Sequence, residues 1–350
     1  MSSLTTSLII VMAVLVLAIC FITARRFGIK RLVYKRYFSQ SSVFAGDETY
    51  LVEEIYNNFF LPLFFVDIQA YMYNDLHLPG VKQRDSFMQL FYSRFFLMPF
   101  TKIKRSHNVI CKHRGWYKLE TVHVDFFGGI VELEAKAEIF VYPQPLRVDD
   151  ENMQSNYLQS NTPTKRRFVL NPFSIVGIRE YSRNDPFTSI NFKATAKTGR
   201  LKVNEKDYQA NRNMMIYVNF EQDCKGNNID SVTYEKNMEK ALSYAAYLIK
   251  TAISQGYNVG FSTNGRQKSG ERYLTYPVNS GAAHYHELLR EIAKIDTTVG
   301  NSFYSVLSMD MHRMVGNTGI IVISAHLDER IDKLLSVYRN TGNSVYCLML

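Results

Sequence analysis

From Leu8 to Thr23 the chain reads LIIVMAVLVLAICFIT, without one charged side chain. With Ser7 and Ala24 added, the segment reaches about the lower length limit for a helix crossing roughly 30 Å of hydrocarbon. Such a run fits an uncleaved anchor, a cleaved signal, or a re-entrant or buried hairpin, and its flanks choose between them. Arg25, Arg26, Lys30, Arg31, Lys35 and Arg36 crowd the far side, whereas MSSLTTS before the run carries no side-chain charge. A secretory signal has the opposite order, a basic stretch first and a small-residue cleavage site after. The expectation is a single-pass anchor in the cell membrane, with the N-terminus outside and the rest in the cytoplasm.

The chain of 350 residues is 46% apolar, enough to build two cytoplasmic domains after the anchor. Its net charge of +9 would suggest nucleic acid if it were spread along the chain. Much of the excess instead follows the apolar run directly, where anionic lipid is the nearer partner. No zinc-finger spacing or other named nucleic-acid signature accompanies it, so no nucleic-acid partner is expected. Cys20, Cys111, Cys224 and Cys347 form no CxxC pair, which suits a reducing compartment.

The domain order expected from the sequence is a tail and anchor over 1–24, a basic juxtamembrane segment over 25–39, and a β-sandwich-like domain over 40–143. A polar linker over 144–167, a hairpin over 168–206 and an α/β domain over 207–350 complete it. Strands are expected at Thr49–Tyr56, Phe64–Tyr73, Val109–Cys111, Tyr117–Phe126 and Ala137–Tyr142, from alternating or short apolar runs between turn signals. The alternation breaks at Phe126-Phe127-Gly128-Gly129, which predicts a bend. Past the linker, the runs MMIYVNF (214–220), NVGFS (258–262) and GIIVIS (319–324) alternate with helical periodicity over 234–255, 282–295 and 327–340, and 344–348 makes a last strand. Strand and helix in alternation predict a mostly parallel, doubly wound sheet.

Between linker and sheet lie Gly177-Ile-Arg-Glu-Tyr181 and the run from Asp185 through Ile190, Phe192, Lys193, Thr195, Ala196 and Thr198 to Gly199. This order resembles the signature of the bacterial family called domain of unknown function 58. Asn184, Thr188, Phe192 and Lys197 stand where that family usually has glycine, arginine, tryptophan and arginine. Gly46-Asp47, Glu54 to Asn57, Arg114-Gly-Trp-Tyr117 with Asp125-Phe-Phe-Gly128, and Val141-Tyr-Pro143 resemble earlier segments of the same family. The resemblance implies a von Willebrand factor A-like α/β domain and a MoxR-type AAA+ ATPase as partner. Many relatives have two membrane helices near the N-terminus; one is visible here.

Two uses of the signature stay open. Arg179, Glu180, Tyr181, Asp185, Phe192 and Lys193 could dock a protein, with Tyr181 and Phe192 as apolar anchors and the charges fixing register. Alternatively they lace a hairpin onto the sheet, with Asp185-Pro186 as its turn. In either case Glu180 and Lys193 are placed to form an ion pair or to contact other chains. A metal-binding von Willebrand A domain presents a D-x-S-x-S loop after its first strand, because Mg²⁺ needs near-octahedral oxygen coordination. Here Asn219, Glu221 and Asp223 fill those positions. With Asp310 as a distant acid they are the candidates for a site that looks broken, and no cofactor is expected.

Enzyme signatures are missing. There is no HExxH and no G-x-S-x-G, and Gly265-Arg-Gln-Lys-Ser-Gly270 lacks the G-K-[ST] order of a phosphate loop. His284-x-His286 reads as a solvated helix start. The sequence thus predicts a non-enzymatic, membrane-anchored adaptor, with an Mg²⁺-dependent binding domain or an uncharacterised hydrolase as the alternatives.

Overall fold

The computed structural model describes residues 3–81, 85, 87–148, 177–182, 190–205, 213–222, 230–311 and 318–350. They divide into two compact units, Met1–Gln144 with Arg290–Lys294, and Pro145–Leu289 with Ile295–Leu350.

The first unit begins with helix α1, Ser3–Thr23. Helical turns continue it to Arg31, so that Thr6–Arg31 is a 26-residue span whose most apolar 18 residues have a mean hydropathy of 3.0. Leu8 to Leu17 expose most of their large apolar side chains, as a helix does when lipid is its solvent. This helix fits a single-pass membrane anchor.

Two sheets follow and enclose one core. The first has the order β1 (Leu32–Phe38), β3 (Glu48–Asn57), β7 (Lys102–Cys111), β5 (Leu76–His77). The second runs β2 (Ser42–Phe44), β9 (Gly129–Tyr142), β8 (Gly115–Phe126), β4 (Leu63–Tyr73), β6 (Met88–Leu97). Alternation sets the core: Leu32, Tyr34, Arg36 and Phe38 of β1 turn inward while Val33, Lys35 and Tyr37 face out. The bend expected at the paired glycines is a tight hairpin, with Phe127 (φ 50°) and Gly128 (φ 79°) both left-handed.

Several boundaries differ from the sequence reading. Leu32–Phe38, placed above in the basic juxtamembrane segment, is a sandwich strand paired along its length with β3. The strand expected at 109–111 begins at Lys102, the one expected at 137–142 begins at Gly129, and β6 was absent from the expectation. Each added stretch carries charge or exposed aromatics at alternate positions, which dilutes the apolar signal.

In the second unit a five-stranded sheet has the order β15 (Leu274–Asn279), β13 (Asn258–Thr263), β12 (Asn213–Val218), β17 (Gly319–Ser324), β18 (Ser344–Met349). Three pairings are parallel, but β15 lies antiparallel to β13, so the sheet is mixed rather than parallel throughout. Pro277 sits in β15, at an edge where the missing N–H costs nothing. Helix α3 (Ser231–Ser254) packs on β12, β13 and β17. Met215 and Tyr217 of β12 share a core cluster with α5 (Phe303–Met311) and α6 (Glu329–Asn340). A separate antiparallel pair joins β14 (Gly265–Gln267) to β16 (Ile295–Val299), and helix α4 spans Ala282–Ala293. Gly256 (φ 81°) and Gly342 (φ 87°) end α3 and α6, as their positions in the sequence predict.

Candidate functional site

The signature stretch pairs β10 (Gly177–Glu180) with β11 (Lys202–Glu205), antiparallel. The intervening Phe192–Thr198 is a short helix, α2, rather than a hairpin strand. Asn191 caps it, its Oδ1 accepting from Ala194 N at 2.9 Å, and Gly199 closes it in the left-handed region (φ 66°). Thr195 Oγ1 accepts from Lys202 N at 3.0 Å, and Asn191 N donates to Lys202 O at 2.8 Å. Local capping chemistry thus beats strand formation here, because Asn191 satisfies a backbone N–H in the first turn of the helix and Thr195 takes the N–H of Lys202 in the strand that follows.

This corrects the expected ion pair. Glu180 lies opposite Lys202 across the hairpin, and its carboxylate meets Lys202 Nζ at 3.4 Å and Arg200 Nη1 at 3.5 Å, not Lys193. The hydrogen bond from Lys202, then the charges of Lys202 and Arg200, hold the Glu180 carboxyl below its usual range. Lys193 is exposed at the start of α2, beside Phe192, which is 77% exposed. Tyr181 is half-buried, its N–H bound to Leu201 O at 2.9 Å. Arg179 is placed by its backbone in β10. Asp185, with the Asp185-Pro186 turn, lies outside the described residues.

The second candidate region is the carboxyl edge of the mixed sheet, the usual ligand position in open α/β sheets. Asn219 is fully buried there. Its Nδ2 donates to Ser324 Oγ at 3.0 Å and His326 O at 3.1 Å. Its Oδ1 accepts from Glu221 N at 2.9 Å and Asn264 Nδ2 at 3.2 Å. Asn264, also buried, takes Phe220 N on its Oδ1 at 2.8 Å and gives Nδ2 to Asn301 O at 3.2 Å. These bonds tie the ends of β12, β13 and β17 and the loop at Asn301 into one network.

The remaining metal candidates are used elsewhere. Glu221 Oε1 accepts from Phe303 N at 2.9 Å, capping α5. Asp310 is buried in that helix, where its Oδ2 accepts from Tyr217 OH and Thr275 Oγ1, both at 3.3 Å. Burial above all, then the Asp310 charge, pushes the Tyr217 phenol far upward. Asp223 lies outside the described residues. Asn219 spends both its amide donor and its amide oxygen on protein groups, and no group of three or more His, Cys, Asp or Glu side chains converges among the described residues.

His284 departs from expectation: it is buried, with Nε2 2.7 Å from Val259 O, while His286 faces solvent. Asn264 and Ser324 escaped the sequence reading because each looked like the end of a strand. Only the register of three parallel strands brings them to Asn219.

Residues 177–345 match the family described as protein of unknown function DUF58. An uncharacterized protein, YeaD, of Bacillus subtilis (strain 168) is 21% identical over 173 residues, 47% of this chain and 38% of that protein's length. The chain therefore spans well under half of that relative. Among solved structures, Pseudomonas fluorescens alkylpurine DNA glycosylase AlkC aligns at 15% identity and TM-score 0.23, over 32% of this chain and 30% of that one. A CARDB domain from Pyrococcus furiosus aligns at 14% identity and TM-score 0.23, over 31% and 91%.

Proposed function

We propose that this chain, with its DUF58 segment at 177–345, is a membrane-anchored adaptor whose α/β half works as a von Willebrand A-like protein-binding module. Its partner in this reading is a MoxR-type AAA+ ATPase on the cytoplasmic side, and anionic lipid meets the basic residues after the anchor. The reading assigns no catalytic step. The polar groups at the carboxyl edge are engaged with one another, which suits rigidity better than turnover.

The observation that carries the proposal is Phe192. A large aromatic that is 77% exposed on a doubly capped helix, next to Lys193, has the character of a docking anchor. Aromatic anchors at interfaces are commonly worth about 2 kcal/mol or more on truncation. Lys193 adds a charge for steering an acidic partner surface.

The test is affinity recovery of the detergent-solubilised full chain from its own cells, read by mass spectrometry. A AAA+ ATPase is expected in the wild-type recovery, reduced at least about tenfold by Phe192→Ala and also reduced by Lys193→Glu. Undiminished recovery from both variants, or no AAA+ ATPase from the wild type, would overturn the proposal.

A further inference from the structure

Among the described residues, three that are not glycine have positive φ, and all three are phenylalanines: Phe65 at 59°, Phe100 at 54° and Phe127 at 50°. This backbone region costs a bulky L-residue on the order of 1 kcal/mol. Burial of the ring would offset that cost, yet all three side chains are exposed. In water, then, each position combines backbone strain with an unburied aromatic.

The three are gathered at one end of the sandwich. The Phe65 ring stands perpendicular to Phe127 at 6.2 Å and edge-on to Phe96 at 6.4 Å. Asn57 draws in the adjoining loops: Nδ2 donates to Leu61 O and Met98 O, both at 3.0 Å, and its N–H donates to Thr101 O at 3.0 Å. Phe60, Met98 and Phe100 on those loops are all exposed.

The apolar helix leaves at this same end. Phe21 in its last turns packs edge-on against Phe127 at 4.9 Å. A Cβ on Gly28 would meet Leu63 Cδ2 at 2.6 Å, and one on Gly129 would lie 3.8 Å from Arg25 Nε. Between helix and hairpin runs a groove of about 400 Å³, lined by Phe21, Ile22, Arg25, Arg26, Lys30 and Ile130 among others. Its walls are apolar and its cationic groups belong to the first residues past the apolar run, a combination suited to an acyl chain with an anionic headgroup.

We propose that this end of the sandwich is seated in the bilayer interface around its own anchor. Phe60, Phe65, Phe100, Phe127 and Ile130 enter the headgroup and upper acyl region, while Arg25, Arg26 and Lys30 engage anionic headgroups. The inference rests on reading α1 as a membrane anchor. A domain that begins within one turn of that helix holds these rings at the depth where aromatic residues gather on membrane proteins. Lipid removes them from water without a partner protein, and so accounts for exposed aromatics at three strained positions. The sandwich is thereby held at a defined tilt on the membrane, not tethered loosely above it.

The test uses the full chain with Trp116→Phe, reconstituted in phosphatidylcholine–phosphatidylglycerol vesicles with plain or brominated acyl chains. A single tryptophan is introduced by Leu15→Trp, Phe65→Trp, Phe127→Trp or Tyr50→Trp. Tyr50 is exposed on β3, about 23 Å from Asn57 at 3.3 Å per residue. Brominated lipid is expected to quench the Leu15→Trp, Phe65→Trp and Phe127→Trp emission about twofold or more, with a blue shift, and to leave Tyr50→Trp unaffected. If Leu15→Trp is quenched while the two loop variants behave like Tyr50→Trp, the proposal falls and the anchor stands. Blue-shifted but unquenched loop emission would place the rings against protein and would overturn it equally. If Leu15→Trp itself is not quenched, the anchor reading fails and this proposal fails with it.

Discussion

Arg36 and Glu53 are direct cross-strand partners on β1 and β3, and both are buried within the sandwich of the first unit. Arg36 sends Nε to Ala135 O at 2.6 Å and Nη2 to Thr121 O at 3.1 Å, stitching one sheet to the other. Glu53, 0% exposed, accepts the Tyr34 hydroxyl and lies 2.8 Å from His107 Nε2. Burial and the Glu53 charge together push the Tyr34 phenol far upward, and burial pulls the Arg36 guanidinium downward. Two opposite charges thus occupy a β-sandwich interior with every neighbour arranged to receive them.

Removing Glu53 leaves the buried Arg36 without its nearby counter-charge and takes the acceptor from the Tyr34 hydroxyl. Glu53→Ala is expected to lower the stability of the solubilised chain by about 3 kcal/mol, since a buried charge and a buried hydroxyl left uncompensated are both costly. Thermal unfolding measures it. A Glu53→Ala chain that melts with the wild type would show that Arg36 is satisfied by its two carbonyls alone.

Asn219→Asp puts a carboxylate where a D-x-S-x-S metal loop has its first aspartate. It also replaces the Nδ2 donor that serves Ser324 and the His326 carbonyl with an acceptor. A loss of about 2 kcal/mol is expected, and millimolar Mg²⁺ is not expected to recover it. A melting temperature restored by Mg²⁺ would mean that the carboxyl edge can still assemble a cation site.

Glycine positions separate space from backbone conformation. A Cβ on Gly300 would stand 1.9 Å from Arg272 O, a backbone atom, whereas Gly199 has nothing within 4 Å and φ 66°. Gly300→Ala is expected to cost about 2 kcal/mol or more, and Gly199→Asn less than about 1 kcal/mol, because asparagine adopts the left-handed region readily. Equal effects in thermal melts would contradict the packing around Gly300.

Two thiols should stay silent. Burial raises Cys111 from its ordinary 9.0 to about 12, helped by the Asp47 charge, and raises Cys347 to about 11. At pH 8 neither is expected to react with iodoacetamide until the chain is unfolded, as peptide mass spectrometry would report. The folded values lie above the unfolded ones. Their contribution to stability is therefore complete below pH 9 and lost as pH rises from about 9 toward 12. Rapid native labelling of Cys111 would refute its burial.

Local pattern alone reveals a good part of this molecule. The uncharged run before Arg25 needs no tertiary context, because hydrocarbon thickness and side-chain charge decide what such a helix can do. The strands at Met214 and Gly319 announce themselves through continuous apolar residues. Capping glycines mark where α3 and α6 stop, because no other residue takes those angles so cheaply. The signature could likewise be read as a block of residues, although its folding as a capped helix, with Glu180 turned to Lys202, could not.

Long-range partners decided the rest. In β1 the chain offers Lys35 and Arg36 side by side, and nothing near them in sequence says which enters the core. Arg36 does so because carbonyls of Thr121 and Ala135, 85 and 99 residues away, and a glutamate on the next strand await it. Asn219, Asn264 and Ser324 meet for the same reason, through the register of parallel strands. A polar group can be buried only where distant groups satisfy it, and that condition is met by the folded chain as a whole, not by any window along it.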